Sequence, residues 1–378
     1  MTDDPGEAPA APEAEPARAA AGGRSLAPFS CVYSTDFPDI LLELGCSLAI
    51  STYQSGKVIL VSPRADRVVQ LPRTFRQAMG LAVAERLLAV ATKEEVVVLA
   101  NAPALTPGFP RRPGSYDNLY LPRATYYTGP MDIHDMAWGR DGRLYAVNTR
   151  CSCLSVVDHT ASFVPIWKPP FISELSPWDH CHLNGLALAD GRPRYVTALA
   201  RTDTPQGWRA EKLTGGVLLE IESGEVLLEG LAMPHSPRLL GGQLFVLSSA
   251  SCELLAVDPE RRTRDTVAHL PGYARGLAAC GDYLFVGLSK LRHDHKVFGD
   301  LPIARGRDLY CGVLCLHLPT GRIAGELKYL RTCEEIYDVQ VLPGVLRPGI
   351  LAADDPLHRR ALAAPGLALW GEPEPEEA

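Results

Sequence analysis

The sequence predicts an all-β chain folded as a six-bladed β-propeller, with strands from both ends of the chain closing one blade. Three observations carry this expectation. Glycine and proline number 33 and 32 in 378 residues, hydrophobic content is 46%, and amphipathic helical stretches are few, which is the composition of many short strands joined by turns. Six segments repeat one pattern: a short apolar strand, a turn that mostly carries glycine, and a second apolar strand ending in polar residues. Their interval of roughly 40–60 residues is that of propeller blades. Finally, the opening strands lack an innermost partner, and the last repeat supplies one without a full outer set. Joining the two ends removes a sheet edge that would otherwise invite aggregation.

Taken in order, residues 1–27 are rich in Ala, Pro, Glu and Gly. Such a segment buries too little apolar surface to offset its ordering entropy and is expected to be a disordered tail. It has no apolar stretch of the kind a secretory signal needs. Phe37 to Leu44 (FPDILLEL) reads as a short helix leading into a propeller domain over 28–366, and 367–378 as an acidic tail. After the opening strands, the repeats begin at Ala78, Ile133, Leu183, Pro234, Ala274 and Ile336. The most legible blade lies within Pro122–Asp158. Its first strand opens with Asp132 and His134, Gly142 turns the chain, and a second strand runs Leu144–Val147. A polar loop, Asn148–Arg150, then precedes a third strand, Leu154–Val157.

The net charge is −7 and no Lys/Arg run stands out, so a nucleic-acid partner is not expected. No apolar run is long enough to span a bilayer, so neither is a membrane partner. The ten cysteines are irregularly spaced, and Cys46, Cys252, Cys280 and Cys315 sit in or beside apolar strands. They read as reduced core residues of a cytoplasmic protein.

Aligning the innermost strands places Met79, His134, Asn184, His235, Arg275 and Tyr337 at one position. Residues two earlier share that face because strand side chains alternate; these are Gln77, Asp132, His182, Met233, Tyr273 and Glu335. The positions that follow, in the GLA, DMA and SPR stretches, are expected to pack between blades. The start of each inner strand thus offers polar groups to a central channel. Polar loops at Asn148–Arg150, Arg201–Lys212, Ser248–Ser249 and Ser289–Arg292 gather at the same end, where binding residues tend to lie on a rigid scaffold.

His134, His182 and His235 are candidate ligands of a divalent metal (Fe, Zn, Cu, Mn or Ca), since imidazole and carboxylate suit such ions. The alternative is that they satisfy buried backbone groups and channel water. Asp132 and Glu335 are candidate ligands or bases. Tyr337 is a candidate acid or hydrogen-bond donor. Arg275, Arg201, Arg209 and Lys212 form a candidate anion clamp, because a guanidinium can grip a carboxylate with two bonds; the alternative is surface pairing with Asp203, Glu211 and other nearby acids. Asn184, Arg150, Lys290, Asp203 and Trp208 complete the candidate ligand-binding set. Trp208 either covers a ligand or staples its own long loop. Strand alternation turns Cys181 away from His180 and His182. His293 and His295 read as solvated loop residues.

The motifs STYQSGKV, LPRATYYTG, DIHDMAWG, CHLNGLAL, RTDTPQGWR, MPHSPR, VGLSKLR and YDVQVLPG, running from about Cys46 to Gly344, together resemble an uncharacterised family of mostly bacterial proteins of unknown function. The resemblance implies a propeller fold and no reaction. In general shape the chain also resembles gluconolactonase-like six-bladed propellers, which hold a divalent metal at the channel mouth; their ligand pattern does not map onto this sequence, so the likeness is one of fold. Two functions stay open. One is a small-molecule or peptide-binding propeller acting as a metal-dependent hydrolase or oxidative tailoring enzyme. The other is a non-catalytic propeller that presents its rim loops to a protein or peptide.

Overall fold

The computed structural model describes residues 26–291, 298–299, 301–304 and 309–372. Six sheets form a ring, each with four antiparallel strands running outward from the central axis. Blade two comprises Leu81–Ala84, Leu87–Ala91, Glu95–Asn101 and Asn118–Tyr127. Blade three comprises Ile133–Trp138, Leu144–Asn148, Cys153–Val156 and Val164–Trp167. Blade four runs Leu183–Ala189, Arg192–Ala198, Gly216–Glu220 and Val226–Leu231, and blade five Pro234–Leu240, Gln243–Ser248, Glu253–Asp258 and Thr263–His269. Blade six runs Tyr273–Cys280, Tyr283–Ser289, Cys311–His317 and Arg322–Tyr329. The middle strands carry continuous apolar runs because a neighbouring blade covers each of their faces. Cys46–Thr52 is buried at every position, whereas Asn118–Tyr127 ends in an alternation of half-buried and exposed residues at the rim.

Blade one closes the ring. Its inner strand, Asp338–Pro343, comes from the C-terminal end, and its outer three, Cys46–Thr52, Lys57–Arg64 and Arg67–Thr74, come from the N-terminal end. Two further strands flank this junction. Cys31–Tyr33 pairs with the outer edge of blade six, and Pro348–Ile350 pairs in parallel with the outer edge of blade two. Both arms also touch the outermost strand of blade one: Gln70 donates to Phe29 O and Arg73 Nε to Ile350 O. The expected lead-in helix spans Asp36–Glu43 and buries Phe37, Ile40 and Leu41. Leu367–Trp370, read from sequence as tail, pairs with Ala361–Ala364, and Trp370 packs edge-on against Phe109 with its Nε1 donating to Leu105 O. No helix is long and apolar enough to cross a membrane among the described residues. None of the ten cysteines is in a disulfide. His293 and His295, and most of the N-terminal segment 1–27, lie outside the described residues.

The inner strands hydrogen-bond to a partner strand on one edge only, so their free edges need other partners. Neighbouring blades supply them. At five of the six junctions a side chain donates to a carbonyl at the start of the next inner strand: Ser51 to Met79 O, Thr149 to Leu183 O, Asn184 to Pro234 O, Ser249 to Ala274 O and Ser289 to Ile336 O. At the sixth, Gly80 N donates to Ile133 O. One residue further along, small and acceptor residues alternate around the ring. Asp338, Asp135 and Ser236 accept from the backbone N–H of Leu81, Leu186 and Gly276. The intervening blades carry Gly80, Gly185 and Gly276, where a Cβ would meet Asp135 Cα at 3.1 Å, Pro237 Cδ at 2.3 Å and Val339 N at 2.5 Å.

These positions were expected to be apolar packing between blades, and that expectation is corrected here. Asp135, Arg238 and Asp338 form a charged cluster across the axis. Arg238 reaches from blade five to Asp135 Oδ2 (2.7 Å) and Asp338 Oδ1 (3.8 Å), and donates to Leu186 O and Leu277 O. One guanidinium therefore faces two carboxylates. Burial, opposed by Arg238 and reinforced by Asp135, raises the Asp338 pKa to about 7.

Two outcomes follow. Gly142 and Gly276 share a left-handed backbone (φ +77° and +76°), but a Cβ at Gly142 meets nothing within 4 Å. Gly142→Ala should cost about 1–2 kcal/mol from the backbone alone, and Gly276→Ala about 1–3 kcal/mol beyond that from the clash, read by urea unfolding. A raised carboxyl pKa means that the Asp338 contribution is complete below its ordinary value of 3.8 and lost as pH rises through about 7. Asp338→Asn should therefore flatten the fall in stability across that window.

Candidate functional site

At the end of the ring where the inner strands begin, a cavity of about 400 Å³ opens. Its wall is set by a backbone device. Gln77, Asp132, His182 and Met233 precede the inner strands of blades two to five, and all four adopt a left-handed conformation with φ of +52°, +52°, +52° and +51°. A conformation costly for side-chain-bearing residues recurs whatever the residue type, so the fold imposes it. It places Asp132, His182 and Met233 on the cavity wall and Gln77 on an adjoining pocket of about 270 Å³. Tyr53, Phe298 and Glu335 line both.

His134 Nδ1 faces two oxygens, Asp132 O and Thr149 Oγ1, each at 2.8 Å. Thr149 Oγ1 already donates its one proton to Leu183 O (2.6 Å), so it accepts from the ring. Nδ1 thus carries the proton and Nε2 keeps its lone pair. Blade five repeats the arrangement: His235 Nδ1 lies 2.9 Å from both Met233 O and Ser249 Oγ, and Ser249 donates to Ala274 O. The buried His235 Nε2 has no partner among the described residues. Burial, then the nearby His182 and Arg275, holds the His134 pKa well below 6.5. Burial and Arg275 do the same to His235. Both rings are therefore neutral at pH 7.

Around the mouth the aromatic and charged groups touch in sequence. His182 packs on Trp208 (4.3 Å between centroids) and edge-on to His134 (4.6 Å), and His134 lies edge-on to Tyr337 (5.2 Å). The Arg275 guanidinium sits over the rings of Tyr337, Tyr273 and Phe298, at 5.0, 5.4 and 5.4 Å. Arg275 Nη1 pairs with Glu335 Oε1 and Arg150 Nη2 with Asp132 Oδ2, both at 3.0 Å. Asp179 Oδ2 faces His182 Nδ1 (2.8 Å) and accepts from Trp208 Nε1 (2.9 Å). The buried Tyr337 hydroxyl has no partner among the described residues, and burial raises its pKa well above 10, so it keeps its proton.

The structure gathers Asp132, His134, Arg150, His182, Trp208, Arg209, Arg275, Glu335 and Tyr337 around one cavity, with Lys290 in the adjoining pocket. It assigns the remaining candidates elsewhere. Asn184 is buried between blades with its amide bonded to Pro234 O and Thr197 Oγ1, so it has nothing to offer a ligand. Arg201 pairs with Glu229 at the surface and Asp203 with His180. Lys212 is buried behind the short helix Trp208–Glu211, its carbonyl accepting from Met233 N. The expected anion clamp is thus reduced to arginines already facing carboxylates, plus the exposed Arg209 over Trp208 (5.0 Å). Trp208, 3% exposed and bonded to Asp179, staples its loop while lining the cavity.

No group of three or more His, Cys, Asp or Glu side chains is disposed to hold a metal among the described residues. His134 and His182 line the cavity and His235 does not; each is held through Nδ1. Cys181 is fully buried and burial pushes its thiol up to about 12, away from nucleophile chemistry. The sequence marks Thr149 and Ser249 only as members of polar rim loops, and Asp179, Trp178 and Phe298 not at all. A hydroxyl just after the second strand in blades three and five is the signal that points to the first two.

The chain belongs to the family described as Domain of unknown function (DUF4915), which it matches over residues 35–351. Among solved structures it is similar to a chain of the nidogen/laminin complex, at 10% identity and a TM-score of 0.52 over 79% of this chain and 99% of that one. It is also similar to a protein of unknown function from Bacteroides caccae, at 8% identity and a TM-score of 0.50 over 79% and 98% of the two chains. These likenesses show the fold alone. No curated protein matches in sequence.

The histidine assignment is open to direct measurement. Nitrogen-15 NMR at pH 7 should find His134 and His235 protonated at Nδ1 and bare at Nε2, with no second proton until pH is well below 6.5. Their depressed values contribute stability present above pH 6.5 and lost as pH falls through the folded-state pKa. Thr149→Val should leave the His134 proton on Nδ1, where Asp132 O still accepts it, while shifting the Nδ1–H resonance, and should leave His235 unchanged.

Proposed function

We propose that this propeller binds a small molecule in the channel mouth, with His134 accepting a proton or hydrogen bond from it and Tyr337 donating one. The supporting observation is the fixed tautomer of His134: Nδ1–H is committed to Asp132 and Thr149, so a neutral Nε2 lone pair is left over on the cavity wall. The cavity of about 400 Å³ falls in the range of small-molecule sites, about 300–1,000 Å³. A neutral imidazole and a protonated phenol in edge contact also suit proton transfer to and from a bound hydroxyl or water, as in ester or lactone hydrolysis. There Nε2 takes the proton of the attacking oxygen and later returns it to the leaving oxygen. Asp132 and Glu335 are engaged by arginines, so their part is to hold Arg150 and Arg275 in place.

The test is a thermal-shift screen of the full chain against a small-molecule library. A ligand at about one hundred times its dissociation constant should stabilise the fold by about 2.7 kcal/mol. His134→Ala and Tyr337→Phe should each weaken its binding by about tenfold, the loss of one hydrogen bond to a buried partner. Arg201→Ala, at the surface on Glu229, should leave it unchanged. A partner whose binding depends on Arg201 and ignores His134 would favour the rim-docking function instead.

A further inference from the structure

Resting on that proposal, we infer that the ligand is a neutral polyhydroxylated molecule, a sugar or cyclic polyol. The charge on the cavity wall is balanced: Arg150, Arg209 and Arg275 stand against Asp132, Asp179 and Glu335. Two of the arginines are already engaged, Arg150 with Asp132 and Arg275 with Glu335. A ligand carboxylate seated on either pair would have to displace its acid and leave it poorly solvated beside a second negative charge. A ligand ammonium would meet the guanidiniums. A hydroxyl meets neither penalty, because it donates one hydrogen bond and accepts up to two. Two adjacent ring hydroxyls match the acceptor and donor that each arginine–carboxylate pair presents side by side.

His134 Nε2 is an acceptor at the wall. The wall residues hold further polar atoms of both kinds in reserve: Asp179 Oδ1, which can only accept, Arg150 Nε and Arg275 Nε, which can only donate, and the Tyr337 hydroxyl, which does both, are all buried and without a partner among the described residues. A ligand with several hydroxyls suits such a mixture once these side chains turn toward it, and one with a single functional group does not. Flat aromatic faces complete the match. Trp178 stands 60% exposed at the rim, and Tyr53, Phe298 and Tyr337 form part of the wall. The C–H face of a sugar ring carries partial positive charge and packs on the negative face of an aromatic ring. The adjoining pocket offers Gln54, Gln77 and Lys290, which gives a second ring polar contacts of its own.

The experiment is saturation-transfer NMR on the full chain with D-glucose, D-galactose, D-mannose and myo-inositol, alongside the anion D-glucuronate and the zwitterion L-glutamate. At least one neutral compound should bind, and His134→Ala should weaken it about tenfold. Glucuronate should bind no tighter than glucose. Glu335→Gln frees Arg275, so it should reverse the order, raising glucuronate relative to glucose about tenfold or more; thermal unfolding checks that this variant is folded, and Tyr337→Phe serves as a second probe of the neutral ligand. Tighter binding of glucuronate or glutamate to the unaltered chain would overturn the inference and leave the small-ligand site standing. So would binding of only an unrelated compound through His134. No binding by any compound, in this panel or in the library, would remove both.

Discussion

Every blade ends, at the axis, in a strand with one unpaired edge, and the molecule is arranged around satisfying those six edges. In a flat sheet such an edge is a liability. Here each edge faces the blade beside it. Ser51, Thr149, Asn184, Ser249 and Ser289 lend donors to carbonyls on the next strand, and Asp135, Ser236 and Asp338 lend acceptors to its N–H groups. The glycines between them let the strands approach closely enough for those bonds to form. The two chain ends meet in blade one and then reach to the outer edges of blades six and two, so the ring is held at the seam from inside and outside.

The same bonds shape the chemistry of the mouth. A hydroxyl that gives its proton to a neighbouring carbonyl can only accept from a histidine, so the ring-closing hydroxyls join the Asp132 and Met233 carbonyls in deciding which nitrogen of His134 and His235 is bare. The left-handed residues at the strand starts then set what faces inward. Structure and site are not separable layers here: a change to Thr149 loosens a blade junction and alters a ring nitrogen on the cavity wall together.

Much of this was legible in the sequence. The repeat spacing, the closing blade and the gathering of Asp132, His134, Arg275, Glu335 and Tyr337 all follow from aligning inner strands with a period of two. What failed has a physical cause. Asn184 occupies the same aligned position as His134, but Leu199 stands in its blade where others carry Thr149 or Ser249, and the amide takes over the hydroxyl's task. Asp135, Arg238 and Asp338 lie in apolar strands, and simple alternation assigned them to packing; a bulge after His235 and cross-axis partners far apart in sequence decide their true placement. Of the three histidines, His134 and His182 line the cavity in edge contact and His235 does not line it; a loop residue, Asp179, fixes the His182 ring through Nδ1.

Arg238 also separates two parts of the molecule. Its side chain grips groups from four other blades. It lines a pocket of about 250 Å³ of its own and not the cavity at the mouth. A change of charge at this one guanidinium would therefore be felt in five blades at once, without removing any side chain from the cavity wall.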